Sequence, residues 1–412
     1  GHVRPVTPLA LALQDRGHQV RVATAASFAP VVRGLGLDPV PAGLDWLESE
    51  AEATFPGFTA ARAEGLPTFA GPCAGPMARD IARLAVLWRP DVIVREHLEW
   101  GGWAAAEELG VPSIRFNLGR HIPREVVVKR AGEALAILRK ARGLPAEVDL
   151  ASIDGTVCFD TSPPSLAAPS SGAVNMVSIR PAVGLGRELP LPAWCRSLGH
   201  RPVVYASLGT VFNGRLDGHR KTVEALASED LDLLMSLGSK HDPGALGHLP
   251  ANVHVEPTLP QTALLPLCNV VVSHVGRGTM LEALANGVPI CCLPLAADQP
   301  GNAAQVIASG TGLSCGTHLD AVPAGPGPVV DLDLLTPSMI HANVLRLLEE
   351  PSFRTRAREV QAEIAAMPGP SYAAEFVESV VAMADGARHG STNDDSGSVD
   401  HGSNGRHQFF GG

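Results

Sequence analysis

Apolar residues fall along this chain in two alternating rhythms. Short runs rich in valine, isoleucine and leucine, such as "DVIVRE", "PSIRFN", "NVHVEP" and "NVVVSH", have the density expected of strands buried on both faces. Between them lie stretches with apolar residues at helical spacing: "PLALALQDRG", "ARDIARLAVLW" and "EWGGWAAAEELG". Strand, helix and strand in repetition predict parallel sheets with crossover helices. The rhythm breaks between Thr161 and Gly199, where "TSPPSLAAPSSG" and "ELPLPAWCRSLGH" read as loop and linker. It restarts at "RPVVYASLGT".

The fold class expected is therefore α/β, with two Rossmann-like domains at 1–180 and 201–370 and a linker at 181–200. A helix follows at 371–385, and a Gly-, Ser-, Asp- and His-rich tail at 386–412 reads as disordered. A doubly wound domain normally opens with a strand, whereas this chain opens where that strand should have ended. The first strand of the N-terminal domain is thus expected to be missing, as in a fragment.

Composition narrows the function classes. At 412 residues the chain exceeds one compact core and suits two domains. No apolar run approaches the roughly 20 residues of a membrane span. A formal charge of −10 argues against nonspecific binding of nucleic acid or anionic membrane. The seven cysteines are irregularly placed, lack metal spacing and suggest a reducing, cytoplasmic setting. Oligomeric state is left open, a homodimer included.

The most informative stretch is "VVSHVGRGTMLEALANGVP" (271–289). A strand that stops in a glycine-rich turn and opens a helix presents free backbone N–H groups at the positive end of the helix dipole, a natural anion site. Gly276 and Gly278 permit close backbone approach. Arg277 is unfavourable there alone, by roughly 0.3–1 kcal/mol, and makes sense beside a phosphate. An arginine, helix N–H groups and His274 together would suit a diphosphate. The competing reading is a plain strand-to-helix turn with an outward arginine and a core histidine. Glu282, about two helical turns on, could accept both hydroxyls of a ribose. Asp298 and Gln299 end another strand-like run and could hold sugar hydroxyls. Ser207 and Thr210, in "ASLGTVFNG", could reach a phosphate from a second strand-to-glycine turn.

With these residues the second half resembles the donor domain of GT-B fold, family 1 nucleotide-sugar glycosyltransferases, particularly the actinobacterial enzymes that glycosylate antibiotics. The family signature H-x-G-x-G-[TS], followed by a D-Q pair, matches His274, Gly276, Gly278, Thr279, Asp298 and Gln299. The resemblance extends over about residues 1–385. It implies that His274 and the backbone around Gly278 and Thr279 hold a diphosphate, Glu282 the ribose, and Asp298 with Gln299 the transferred sugar. Thr258 stands where many relatives carry a base-stacking tryptophan, which leaves the base to backbone near Leu259 and to Gln261. Glu282 suits a ribose with a 2′-hydroxyl, hence UDP, whereas many antibiotic enzymes use dTDP-sugars.

In the first half, "GHVRPVTPLALALQDRGH" resembles the family's opening loop and helix, and His2 falls on its catalytic base. An imidazole near pKa 6.5 can take an acceptor hydroxyl's proton at neutral pH, given a carboxylate to orient it. Glu96, which ends "DVIVRE", is the expected partner, with Glu99 as competitor. A carboxylate favoured by a helix dipole is the plainer reading of Glu96. Trp46, Phe55, Phe58, Trp88, Trp100 and Trp103 are candidates for acceptor-pocket walls or for core. His18 reads as structural. The late helix is expected, as in relatives, to cross back onto the first domain.

The resemblance implies an inverting transfer of a sugar from a UDP- or dTDP-sugar to a hydroxyl of a small hydrophobic, polyketide-like acceptor, with no metal and no cofactor beyond the co-substrate. The alternatives are a nucleotide-sugar epimerase, a non-catalytic or inactive homologue, and a nicotinamide oxidoreductase. The last would need G-x-G-x-x-G after an early strand, which "GRGTMLEALANG" does not supply.

Overall fold

The structure is a computed structural model that describes residues 2–45, 65–119, 121–167, 175–184, 190–209, 216–238, 241–295, 298–316 and 330–390. The second half contains one six-stranded sheet. Its strands are β7 (Val203–Ser207), β8 (Asp232–Ser236), β9 (Val253–Glu256), β10 (Val270–Ser273), β11 (Ile290–Cys292) and β12 (Gly312–Ser314). They lie in the order β12-β11-β10-β7-β8-β9, every pair parallel. Side chains of the four central strands are almost wholly buried and those of the edge strands β9 and β12 partly so, which is why the central runs read as continuous apolar stretches rather than alternating ones. The order reverses between β7 and β10. Loops leaving adjacent strands there turn to opposite faces and open a crevice, where ligands of open α/β sheets bind.

The first half is built the same way but in two pieces. Strands β3 (Ile93–Glu96), β4 (Ser113–Asn117), β5 (Val157–Asp160) and β6 (Met176–Ser178) form one parallel sheet in that order. Strands β1 (Arg21–Thr24) and β2 (Asp38–Pro41) form a separate parallel pair. Among the described residues no strand bridges β1 and β3. Strand β6 lies inside the Pro-, Ser- and Gly-rich stretch that looked like loop from its composition. At three residues it is too short to impose a hydrophobic pattern.

A long last helix, Pro370–Gly390, lies against the first helix, Val3–Asp15. Ala373, Ala374, Val377 and Val380 share an apolar cluster with Leu9, Leu13 and Phe159. At the rim of this contact Glu378 accepts from Arg16 Nε at 2.7 Å and lies 2.8 Å from His18 Nε2. The helix continues to Gly390, past the boundary expected at 385, and the rest of the expected tail, 391–412, lies outside the described residues.

Candidate active site

Two groups of residues sit at the carboxyl ends of the two parallel sheets. In the second half, β7 and β10 are neighbours in register, with Ser207 opposite Ser273. His274 follows directly, and its Nδ1 lies 3.4 Å from the Ser207 carbonyl oxygen. The imidazole lies over two glycines. A Cβ on Gly209 would come within 2.7 Å of the ring, and one on Gly276 within 2.5 Å. Both positions therefore exclude side chains, which accounts for glycine after β7 and glycine before the helix. Burial pushes the His274 pKa down, so the ring is neutral at pH 7. Val275 has φ 54°, rare for a β-branched residue, and is fully buried. The bend is supported by Val275 N donating to Ser273 Oγ at 3.0 Å and by Asn302 Nδ2 donating to the Val275 carbonyl at 3.0 Å.

The helix Arg277–Ala285 opens beyond this bend, with Gly276 as its N-cap and no side chain capping it. Gly278 is exposed and Thr279 half-buried in its first turn. Two amides of that turn thus lie near the helix mouth. Glu282 faces the start of the short helix Gln261–Leu264, accepting from Gln261 Nε2 and, at 2.5 Å, from Thr262 Oγ1. Leu259 is buried beside them. Asp298 is the N-cap of the helix Gln299–Ala308 and is exposed, while Gln299 is buried with its Oε1 accepting from Leu295 N at 2.8 Å. Asn302 Nδ2 also donates to Asp298 Oδ2 at 2.8 Å, so one amide ties the His274 bend to the Asp298 turn. Thr210 lies outside the described residues.

Arg277 does not stand open at the helix mouth. It is only 8% exposed, with one guanidinium nitrogen donating to Gln305 Oε1 at 2.9 Å and another to Ser162 Oγ at 2.7 Å. Ser162 belongs to the first half and lies just past the end of β5. The carboxyl ends of the two sheets therefore meet at this bond.

In the first half, β3 ends at Glu96, and His2 is the N-cap residue of the first helix. His2 Nδ1 lies 3.3 Å from Glu96 Oε1. The other carboxylate oxygen accepts from Leu98 N at 2.9 Å and lies 3.3 Å from His97 Nδ1. Burial by itself would raise the Glu96 pKa, but His2, His97 and the Leu98 amide outweigh it and hold the group at about 2. Burial pushes His97 down to about 4, so it is neutral. Half-exposed, His2 keeps one face toward solvent, the arrangement a proton acceptor with an orienting carboxylate requires.

Glu99 takes the structural role. Its carboxylate caps the helix Trp100–Leu109, accepting from Gly101 N and Gly102 N. Burial pushes its pKa up to about 7. The two carboxylates, three residues apart, are thus driven in opposite directions by their surroundings. A pocket with room for about one water molecule is lined in part by His97, Leu98, Trp100, Arg115 and Asn117. Trp100 and Trp103 are core residues, and Trp88 is held by Gln19 and covered by Arg21. Trp46, Phe55 and Phe58 lie outside the described residues.

Sequence reasoning passed over Ser162, Gln305 and Asn302. Asn302 had a signal, since it stands four residues after Asp298 on one helix face. Ser162 had none, because its partner is 115 residues away.

Residues 220–383 match the family described as Erythromycin biosynthesis protein CIII-like, C-terminal domain. The chain is 35% identical over 326 residues to the L-demethylnoviosyl transferase of Streptomyces niveus, covering 76% of this chain and 82% of the relative. It is 32% identical over 394 residues to the elloramycin glycosyltransferase ElmGT of Streptomyces olivaceus, covering 90% and 92%. Among solved structures, the glycosyltransferase VinC in complex with dTDP superposes with a TM-score of 0.73 at 25% identity, covering 93% of this chain and 96% of that one.

Proposed function

We propose that this chain, which belongs to the actinobacterial antibiotic glycosyltransferases of GT-B fold, inverts the anomeric centre of a nucleotide-sugar donor as it passes the sugar to a hydroxyl of a small apolar natural product. His2 takes the proton of the acceptor hydroxyl through the nitrogen not turned to Glu96. The carboxylate, kept ionised, stabilises the imidazolium that forms. The oxygen then attacks the anomeric carbon from the side opposite the nucleotide, and the diphosphate departs.

The departing charge is met by the first-turn amides of the Arg277–Ala285 helix and by neutral His274, held over Gly209 and Gly276 in the tautomer with its proton on Nε2 and Nδ1 facing Ser273 Oγ. These donors are the reason we read the reaction as independent of a metal ion. Asp298 and Gln299 address the sugar hydroxyls. The base lies beside Leu259 and Gln261. Glu282 receives one hydrogen bond on each carboxylate oxygen, from Gln261 and Thr262, and keeps acceptor capacity for a ribose hydroxyl. A solved relative binds dTDP, which favours that donor over UDP.

The observation that carries the reading is the 3.3 Å contact between His2 and Glu96 in a chain that also has the His274 bend. Calorimetric titration with UDP and with dTDP in the presence of EDTA, beside His274→Ala, tests the donor half. Binding that survives EDTA and is clearly weakened in the variant is expected. If neither nucleotide binds, the reading fails. Proton NMR of the product from an α-linked donor should show a β-linkage, and retention would sink the inverting step.

A further inference from the structure

A cation at the first position of a helix sits against the positive end of the dipole, and burial removes the water that would soften the conflict. Arg277 is in this position, 8% exposed, and no carboxylate among the described residues hydrogen-bonds to it. Its Nε is buried without a partner. Asp160 and Asp298 act on it only from a distance, and Asp160 also reaches it at one remove. Ser162, which receives the bond from Arg277, donates to Asp160 Oδ1 from both its backbone N, at 3.1 Å, and its Oγ, at 3.0 Å. Asn117 Nδ2 donates to the same carboxylate oxygen at 3.3 Å. Gln305, the second partner of Arg277, spans the same junction, with its Nε2 donating to the Leu166 carbonyl at 2.6 Å.

An arginine held by two neutral oxygens is under-compensated, and a diphosphate at the helix mouth would satisfy it better than either. From this geometry we propose that Arg277 is a latch: in the free protein it ties the donor-site helix to the acceptor domain through Ser162, and a diphosphate competes with Ser162 for it. Arg277 is then a positioning residue that makes the relation of the two domains depend on nucleotide. By linkage, a residue of the first domain must influence nucleotide affinity in the second. The proposal rests on the donor reading above only for the identity of the anion.

The test combines one distance and one affinity. Spin labels on the two domains report their separation in the full chain, without ligand and with inorganic pyrophosphate, while calorimetry gives the affinity for dTDP. In the wild type, pyrophosphate should change the separation. Ser162→Ala should show the changed separation without ligand, no further response, and several-fold tighter nucleotide binding, because no bond has to be broken. Arg277→Gln should share the altered separation but bind more weakly. Adding Ser162→Ala to Arg277→Gln should then have no further effect, an outcome that a general packing defect would not give. If dTDP binds in a His274-dependent way but Ser162→Ala changes neither separation nor affinity, the latch is wrong and the donor reading stands. If neither dTDP nor pyrophosphate binds the wild type, the donor reading and competition by the anion both fall.

Discussion

The two halves of the molecule repeat one architecture but assemble their working residues in different ways. In the second half, His274, the two glycines over which it lies and the first-turn amides come from turns that follow β7 and β10 directly. Once the strands pair in register, these groups are in place with little more required of the tertiary structure. In the first half, His2 and Glu96 are brought together only because the first helix packs at the end of β3. The last helix, from the far end of the chain, braces the first helix from another side. A site made by a local turn is legible as spacing. A site made by packing is legible only as separate residues.

The largest test of this contrast is to remove the base. His2→Ala should lower turnover by about 10²–10⁴ and leave nucleotide affinity unchanged. A parallel fall in affinity would mean that the two halves do not divide the labour. His274→Ala should act on affinity instead and weaken nucleotide binding by about 1.5–3 kcal/mol, roughly 10–150-fold. Unaltered affinity in calorimetry would remove His274 from the site.

A pH experiment sharpens the assignment within the first half. Burial pushes the folded pKa of Glu99 up to about 7 from the ordinary 4.5, so the folded state keeps a proton that the unfolded chain has lost between those values. Stability from this group therefore falls as pH rises from 4.5 to about 7, by an amount on the order of 1–3 kcal/mol. Glu96 behaves oppositely: held at about 2, it contributes stability above 4.5 that is lost as pH falls toward 2. Urea unfolding at pH 5 and pH 7.5 should show the first loss in the wild type and a flatter dependence in Glu99→Gln. An equal slope in both would contradict the buried cap.

The smallest effect is expected at the rim of the contact between the first and last helices. Glu378 pairs with Arg16 and His18 in solvent, where ion pairs contribute little. Glu378→Ala should leave the thermal midpoint within error. A clear drop would show that the last helix is held by its charged rim rather than by Ala373, Ala374, Val377 and Val380.

Arg277 shows where sequence reasoning stops. Its position at a helix start raised the question of an anion, and the answer from sequence was a phosphate. In the fold two of its nitrogens bind Gln305 and Ser162 and the third has no partner, contacts that no spacing in the sequence announces. Glu282 and Gln261 were read separately, as ribose and base contacts, yet in the fold they bind each other. Sequence reasoning preferred Glu96 as the partner of His2 and kept Glu99 as competitor, because one ends the strand and the other lies three residues on. Only the helix start at Trp100 assigns Glu99 to the cap.

The sequence by itself determined the parallel α/β class, the two-domain division and the glycine-bounded turn around His274. These depend on periodicity and on backbone conformations that neighbouring residues dictate. Tertiary structure decided which carboxylate faces His2, where the Arg277 guanidinium goes and how the last helix braces the first. Each of those is a contact between residues far apart in the chain, fixed by competition for burial and for hydrogen-bond partners, and no local pattern records its outcome.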